Sequence, residues 1–501
     1  MDVFSVLIAS LAQLLDPIII AWLFLGVLVG IIFGAIPGLT ATTAIALFTP
    51  MTFGLPFNVA FSFLMAIFCG GLYAGSIPAI LIKTPGAPGN AATTLDGYPM
   101  ANKGKAGEAL FHSVFSSWIG GTISAIALML FAPFLANLAL KFGPQEYFSV
   151  SLFGLSCIAG LAGKSLAKGI FAGLFGMLLG TIGLDPIDGV SRFTFGEIGL
   201  LRGIAIVPAL VGFFAITEVL LKTESIGNME VLKIPQVSMQ FSSIKGYLKE
   251  YVSRKWLVFR SAVIGTIVGA IPGTGAATAS WISYNEAQRS SKHPEEFGHG
   301  SVEGLIASET ANNAISGGAM IPLLTLGIPG DTATAVLLGA LTIQGLIPGP
   351  TMLVDHYDVF SLILWMLLFG NLFMLLFGVL GCKYFPKILS VPQQILMPVI
   401  LLLCATGSYA VANSFFDIKV AIILGLLGYF MIKCGFPLAP AVLGLILGAI
   451  VEPNFRRALV ANQMDPSIFV TSPISCLFLL LTAFTIYIVI KRRAKDKEKQ
   501  K

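Results

Sequence analysis

Charge is what this sequence lacks. Of 501 residues only 11% are Asp, Glu, Lys or Arg while 56% are hydrophobic, against roughly 25% charged in an average soluble domain. No charged residue stands between Pro17 and Ile82, a stretch long enough for about three bilayer crossings at ~20 residues each. A water-soluble globule is excluded, and an all-α polytopic membrane protein is expected. Cysteine is sparse too: Cys69, Cys157, Cys382, Cys404, Cys434 and Cys476 stand singly in apolar segments with no CxxC pair. That spacing argues against a zinc site or a disulfide framework and predicts small buried hydrophobes. HExxH and GxSxG are absent, which removes two common hydrolytic chemistries. Gly163-Lys164-Ser165 ends like a phosphate-binding loop, but Ile158 occupies the place of its first glycine. His293, His299, Glu295 and Glu296 lie in a mixed-charge stretch that reads as a solvated connection and not a metal site. No enzyme activity, metal or cofactor is expected. The segment MDVFSVLIAS has no basic n-region and reads as part of the mature chain.

The net charge of +5 has one location. Lys491 to Lys501 carries seven basic and two acidic residues, so the rest of the chain is neutral. No nucleic-acid footprint survives, because that requires basic residues clustered on a folded surface. A basic segment following the apolar run 469–490 marks a cytoplasmic C-terminus under the positive-inside rule. The stretch Lys222–Arg260, with seven basic and three acidic residues, reads as cytoplasmic on the same ground.

Apolar runs recur along the whole chain, some too short for a full crossing, and predict about 12 transmembrane crossings plus broken or re-entrant pieces. The chain also repeats itself. Residues 30–44, GIIFGAIPGLTATTA, match residues 265–279, GTIVGAIPGTGAATA, at ten of fifteen positions. A second pair follows: Ile77-Pro78 with Pro85-Gly86, and Ile321-Pro322 with Pro329-Gly330. Two homologous halves are expected, residues 1–221 and 256–455. A linker 222–255 joins them, and a final helix 456–490 and the tail 491–501 follow. Asp2 and Asp16 without a basic partner favour an outside start, so the halves should have inverted topology, as in many secondary transporters.

The glycine ladders Gly26-Gly30-Gly34 and Gly265-Gly269 should give smooth faces for close helix packing. Both run into Ile-Pro-Gly, at Pro37-Gly38 and Pro272-Gly273. Proline removes a backbone donor and glycine tolerates positive φ, so each helix should stop there. Broken backbone at membrane depth must be buried in protein or line a polar cavity, so the residues after each break are candidates for a binding site. These are Thr40, Thr42 and Thr43 in one half and Thr274, Gly275 and Thr278 in the other. The second pair of breaks adds Thr84, Pro85, Gly86, Asn90, Thr93 and Thr94, with Pro329 and Gly330 opposite. Helix N-termini after such breaks suit an anion. Asp331, Thr332, Thr334 and Asp96, with nearby carbonyls, could hold a coupling cation. For each threonine the competing role is helix capping. Asn312 and Asn313 in SETANN can meet carboxylate oxygens or bond between helices, and Lys83 can pair with a carboxylate or snorkel to the interface.

Three stretches carry a resemblance: GAIPGLTATTAIALFTPMTFGLP, AGSIPAILIKTPGAPGNAATTLDGYPMANKGKAGEA and SETANNAISGGAMIPLLTLGIPGDTATAVLLGALTIQGLIPGP. They resemble the TctA family, the large membrane subunit of tripartite tricarboxylate transporters, from about Pro17 to Arg457. The resemblance implies a permease of the bacterial inner membrane with two partners, a small four-helix membrane subunit and a periplasmic solute-binding protein. It implies import of citrate-like tricarboxylates or related carboxylates, driven by a Na⁺ or H⁺ gradient. A carrier that needs no binding protein is the alternative within transport, and a membrane-embedded enzyme or scaffold subunit the alternative outside it.

Overall fold

In a computed structural model, residues 3–139, 141–161, 165–225, 237, 244–349 and 352–499 are described. Half of the linker 222–255, the Gly163-Lys164 pair, Asp2 and the last two residues of the tail lie outside them. The described residues are all-α apart from a hairpin of two-residue strands, Gly183–Leu184 against Ser191–Arg192. Seven helices among the described residues are long and apolar enough to cross a membrane: 17–35, 57–82, 93–131, 206–224, 357–389, 415–433 and 438–461. Their outer faces carry exposed Ile18, Phe24, Leu25, Ile32, Ile422, Ile423 and Phe430. Water would not tolerate so much open apolar surface, whereas a bilayer solvates it. The protein is therefore an integral membrane protein.

The helices that position the site are α1 (Pro17–Ala35), α2 (Ala41–Phe48), α3 (Phe57–Ala74), α4 (Ser76–Ile82), α5 (Thr93–Met100) and α6 (Ala106–Ala139). From the later part of the chain come α7 (Lys255–Ala270), α8 (Gly275–Ser290), α9 (Val302–Leu326) and α10 (Thr332–Ile343). Helix α1 packs on α3, and α7 packs on α9. The glycine ladders make both contacts possible. A Cβ on Gly34 would lie 2.6 Å from the Gly71 carbonyl oxygen, and one on Gly269 would lie 3.1 Å from Gly318 Cα.

Both helices stop where proline and glycine demand it. Helix α1 ends at Ala35, with Gly38 at φ +87°, and α7 ends at Ala270, with Gly273 at φ +79°. The second glycines then close on the first helices in the same way: a Cβ on Gly86 or Gly330 would lie 2.6 Å from the carbonyl oxygen of Gly34 or Gly269 respectively. The two parts differ in one respect. The first breaks at Gly75 between α3 and α4, while α9 runs unbroken through Pro322. Of the cysteines, Cys69, Cys382 and Cys404 are buried as expected. Cys434, the C-cap of helix 415–433, is exposed and Cys476 half-buried, while the Cys157 side chain lies outside the described ones.

Outside the apolar body, the loop 181–205 is tied to helix 438–461. Arg456 Nη1 lies 2.7 Å from Asp185 Oδ2, Arg192 Nη1 lies 2.6 Å from Glu452 Oε1, and Arg456 also pairs with Asp188. The amides of Ile187 and Asp188 donate to Asp185 Oδ1 and, with Arg456, hold its carboxyl down to about 2. A depressed carboxyl stabilises the fold above its ordinary value, about 4, and that contribution is lost as pH falls toward 2. Asp185→Asn should therefore unfold at lower temperature than wild type at pH 7, and the difference should shrink as pH approaches 3. Thermal unfolding in detergent at the two pH values checks this; an unchanged difference would exclude the carboxylate as its source.

Candidate functional site

The site is assembled from helix beginnings. After the break at Gly38 the chain restarts at Thr40, whose Oγ1 accepts the Thr43 amide at 3.3 Å and so caps α2. After the break at Gly273, Gly275 takes φ +70° and begins α8. After Pro329-Gly330, Asp331 caps α10 in a capping box. Its Oδ1 accepts the Thr334 amide at 2.8 Å and its own amide donates to Thr334 Oγ1 at 2.9 Å. These three N-termini face one cavity of about 240 Å³. Thr40–Thr42, Ala87–Asn90, Gly275–Ala277, Asn312 and Asp331–Ala333 line it, with Gly71 and Leu72 on the wall. Thr42 and Thr332, distant in sequence, touch hydroxyl to hydroxyl at 3.1 Å.

Of the residues expected from the sequence, seven line this cavity: Thr40, Thr42, Asn90, Gly275, Asn312, Asp331 and Thr332. Others stand directly behind it. Thr43 lies 3.2 Å from the Thr40 hydroxyl, Thr334 completes the Asp331 cap, and Thr93 donates to Glu309. Asn313 donates to Ser117 at 2.6 Å, while Asn312 reaches across to the Leu72 carbonyl at 3.3 Å. Pro37, Gly38, Pro85, Gly86, Pro272, Gly273, Pro329 and Gly330 shape the backbone of the breaks. Thr274 and Thr278 bond to carbonyls of their own segment, at Ile271 and Thr274, and Thr94 to that of Ala91.

Two charged candidates lie elsewhere. Asp96 Oδ1 accepts the amides of Gly298, Gly300 and Ser301 at 2.8, 2.9 and 2.8 Å, which folds the polar loop onto α5. Lys83 is exposed at the end of α4 in left-handed backbone, φ +58°, with its ammonium 5.7 Å from the Tyr98 ring centre. Thr84 beside it is exposed and bonds to Ile82. Gly327, which stands five residues after Pro322 as Lys83 stands five after Pro78, ends α9 in the same conformation, φ +70°. Left-handed backbone costs a non-glycine residue roughly 1–2 kcal/mol. Lys83→Gly should therefore fold at least as stably as wild type and keep uptake within about twofold. A tenfold loss of uptake in the folded variant would return Lys83 to the substrate path.

The sequence reading passed over one residue that the fold makes central. Glu309 is fully buried on α9, and every side chain bonded to its carboxylate among the described residues comes from the first part of the chain: Asn90 at 3.3 Å, Thr93, Ser113 at 3.4 Å and Ser117 at 3.2 Å. The signal available was a lone carboxylate within residues 304–326, which are otherwise uncharged, where an ionisable group is costly and carries function by default.

The arrangement suits a small anion. Helix N-termini offer unpaired N–H groups and partial positive charge, and hydroxyl and amide side chains fix orientation. The family model described as the tripartite tricarboxylate transporter TctA family matches residues 20–443. An Agrobacterium vitis protein titled "Uncharacterized 52.8 kDa protein in TAR-I ttuC' 3'region" is 37% identical over 502 residues, 99% of this chain and 98% of its own. A second from that organism, "Uncharacterized protein in TAR-II ttuC' 3'region", is 36% identical over 236 residues, 47% of this chain and 98% of its own. No solved structure matches significantly.

Proposed function

The chain belongs to the tripartite tricarboxylate transporter TctA family, and on that premise we propose that it imports citrate-like tricarboxylates or related carboxylates across the bacterial inner membrane. It is the large permease subunit, working with a small four-helix membrane subunit and a periplasmic solute-binding protein, and a Na⁺ or H⁺ gradient drives it. The observation that carries this reading is the meeting of three helix N-termini from two distant parts of the chain at one cavity. An anion held there by N–H groups, hydroxyls and the Asn90 and Asn312 amides needs no lysine or arginine beside it. Two inverted repeats, 1–221 and 256–455, with about 12 crossings, rock about this centre in alternating access. The shared packing of Gly34 with Gly86 and of Gly269 with Gly330 supports that division. Asp331 and Thr332 on the cavity wall are the candidates for holding a coupling cation.

Membrane vesicles carrying the permease, its small partner and binding protein should accumulate at least one labelled compound from a panel of tri-, di- and aromatic carboxylates. Removing Na⁺ or collapsing the pH gradient should abolish accumulation. Uptake independent of the binding protein would favour the simpler carrier, and no uptake of any carboxylate would refute the reading.

A further inference from the structure

The donors around Glu309 leave one acceptor over. Ser76 Oγ donates its only proton to the Tyr73 carbonyl at 2.7 Å, and Ser113 Oγ donates its only proton to Ser76 Oγ at 2.6 Å. Ser113 therefore has no hydrogen for Glu309 Oε2, 3.4 Å away, and presents a lone pair instead. Ser117 accepts from Asn313 at 2.6 Å, so its own hydrogen is free to point at Oε2, 3.2 Å away. Oε1 accepts from Asn90 and Thr93. A proton on Oε2, turned toward Ser113 Oγ, would give that lone pair its donor once the two oxygens close from 3.4 Å by a few tenths of an ångström.

No counter-charge is at hand. None of the ion pairs among the described residues includes Glu309, which is 0% exposed. The titratable groups on the helices around it are otherwise engaged or neutral. Tyr73 of α3 and Tyr251 of helix Ile244–Ser253 lie within its electrostatic reach. His112 of α6 is bonded to Tyr251, and Asp96 of α5, beside Tyr284 of α8, binds the loop amides. Arg260 of α7 pairs with Glu286 of α8, Asp331 caps α10, and Glu303 of α9 pairs with Arg254. A buried carboxyl without a cation is neutralised by taking up a proton. At the equivalent position of the first repeat stands Met65, so the group belongs to one half only.

We propose that Glu309 is a proton-binding site linked to the cavity through Asn90. Asn90 lines the cavity and donates to Glu309 Oε1, while its own Oδ1 is buried without a partner. A half-turn of that amide exchanges donor for acceptor, and so transmits the protonation state of Glu309 to the cavity wall. This inference rests on the transport reading only in its second test.

The first test needs no substrate. Infrared difference spectra of the full chain in liposomes, taken between acid and alkaline pH, should contain a protonated-carboxyl band that Glu309→Gln removes. Ser113→Ala, which deletes the acceptor of the protonated form, should keep the band and lower its titration midpoint by about one pH unit, a roughly tenfold loss of proton affinity. A band unchanged in folded Glu309→Gln overturns the proposal, as does an unmoved midpoint in Ser113→Ala. In the second test, Glu309→Gln should exchange labelled citrate or succinate at a rate that no longer varies with pH. It should lose proton-driven accumulation at least tenfold. Accumulation that follows Na⁺ alone in wild type overturns the proton assignment. Wild type that exchanges no carboxylate, yet shows the titrating band, overturns the transport reading and leaves the proton site standing.

Discussion

Asn312→Ala should abolish uptake, by at least tenfold, while the protein reaches the membrane in normal amounts, and Asp331→Ala should do the same. Asn312 is 1% exposed, lines the cavity and is held against the Leu72 carbonyl by one N–H of its amide, so the second N–H is the donor it has left for a substrate oxygen. Tenfold corresponds to about 1.4 kcal/mol, the size of one well-placed hydrogen bond. Asp331 has two roles that substitutions can separate. Loss of the N-cap costs roughly 1 kcal/mol of helix stability, and Asn caps nearly as well as Asp. Asp331→Asn should therefore restore the thermal stability that Asp331→Ala loses but not its uptake, if the carboxylate serves a cation. Uptake restored by Asn would reduce Asp331 to a cap, and normal uptake by both alanine variants would refute the site. Radiolabelled uptake beside size-exclusion profiles distinguishes these outcomes.

A larger effect on folding is expected at the glycine ladder. A Cβ on Gly30 would lie 2.5 Å from the Ile67 carbonyl oxygen, 2.9 Å from the Gly71 nitrogen and 3.0 Å from Ile67 Cα. All three are backbone atoms, so no side chain can swing aside, and α1 must separate from α3. Inserting volume into a packed interface costs about 1–3 kcal/mol, and a leucine, which adds more than a Cβ, belongs at or above the upper end. Gly30→Leu should give little monodisperse protein after detergent extraction. Gly246→Ala, where a Cβ meets nothing within 4 Å, should behave as wild type. Equal yields of the two would show that α1 and α3 are not held as closely as their glycines permit.

What was legible in the residues is what local chemistry controls. Scarce charge announced a membrane solvent. Helices end at Ala35 and Ala270 because, in the Ile-Pro-Gly that follows, the proline offers no amide to bond and the glycine takes positive φ. The threonines and Asp331 that follow could be read as helix beginnings for the same reason. Asp331 shows how little that reading says about role, since one side chain can cap a helix and face a cavity at once.

Asp96, Lys83 and Glu309 were decided elsewhere. Their neighbours lie on other helices, and nothing in a local pattern says which. Asp96 turned to three loop amides some two hundred residues away, and Lys83 to the outside of a left-handed turn. Glu309 was unremarked in its own segment because its meaning comes from Asn90, Thr93, Ser113 and Ser117. By itself the sequence determined the solvent, the ends of the helices and the faces along which they pack, since each follows from a residue and its immediate neighbours. Only the tertiary structure decided which polar groups share a cavity and which carboxyl is left without a cation, because desolvation and hydrogen bonding depend on atoms that packing brings together.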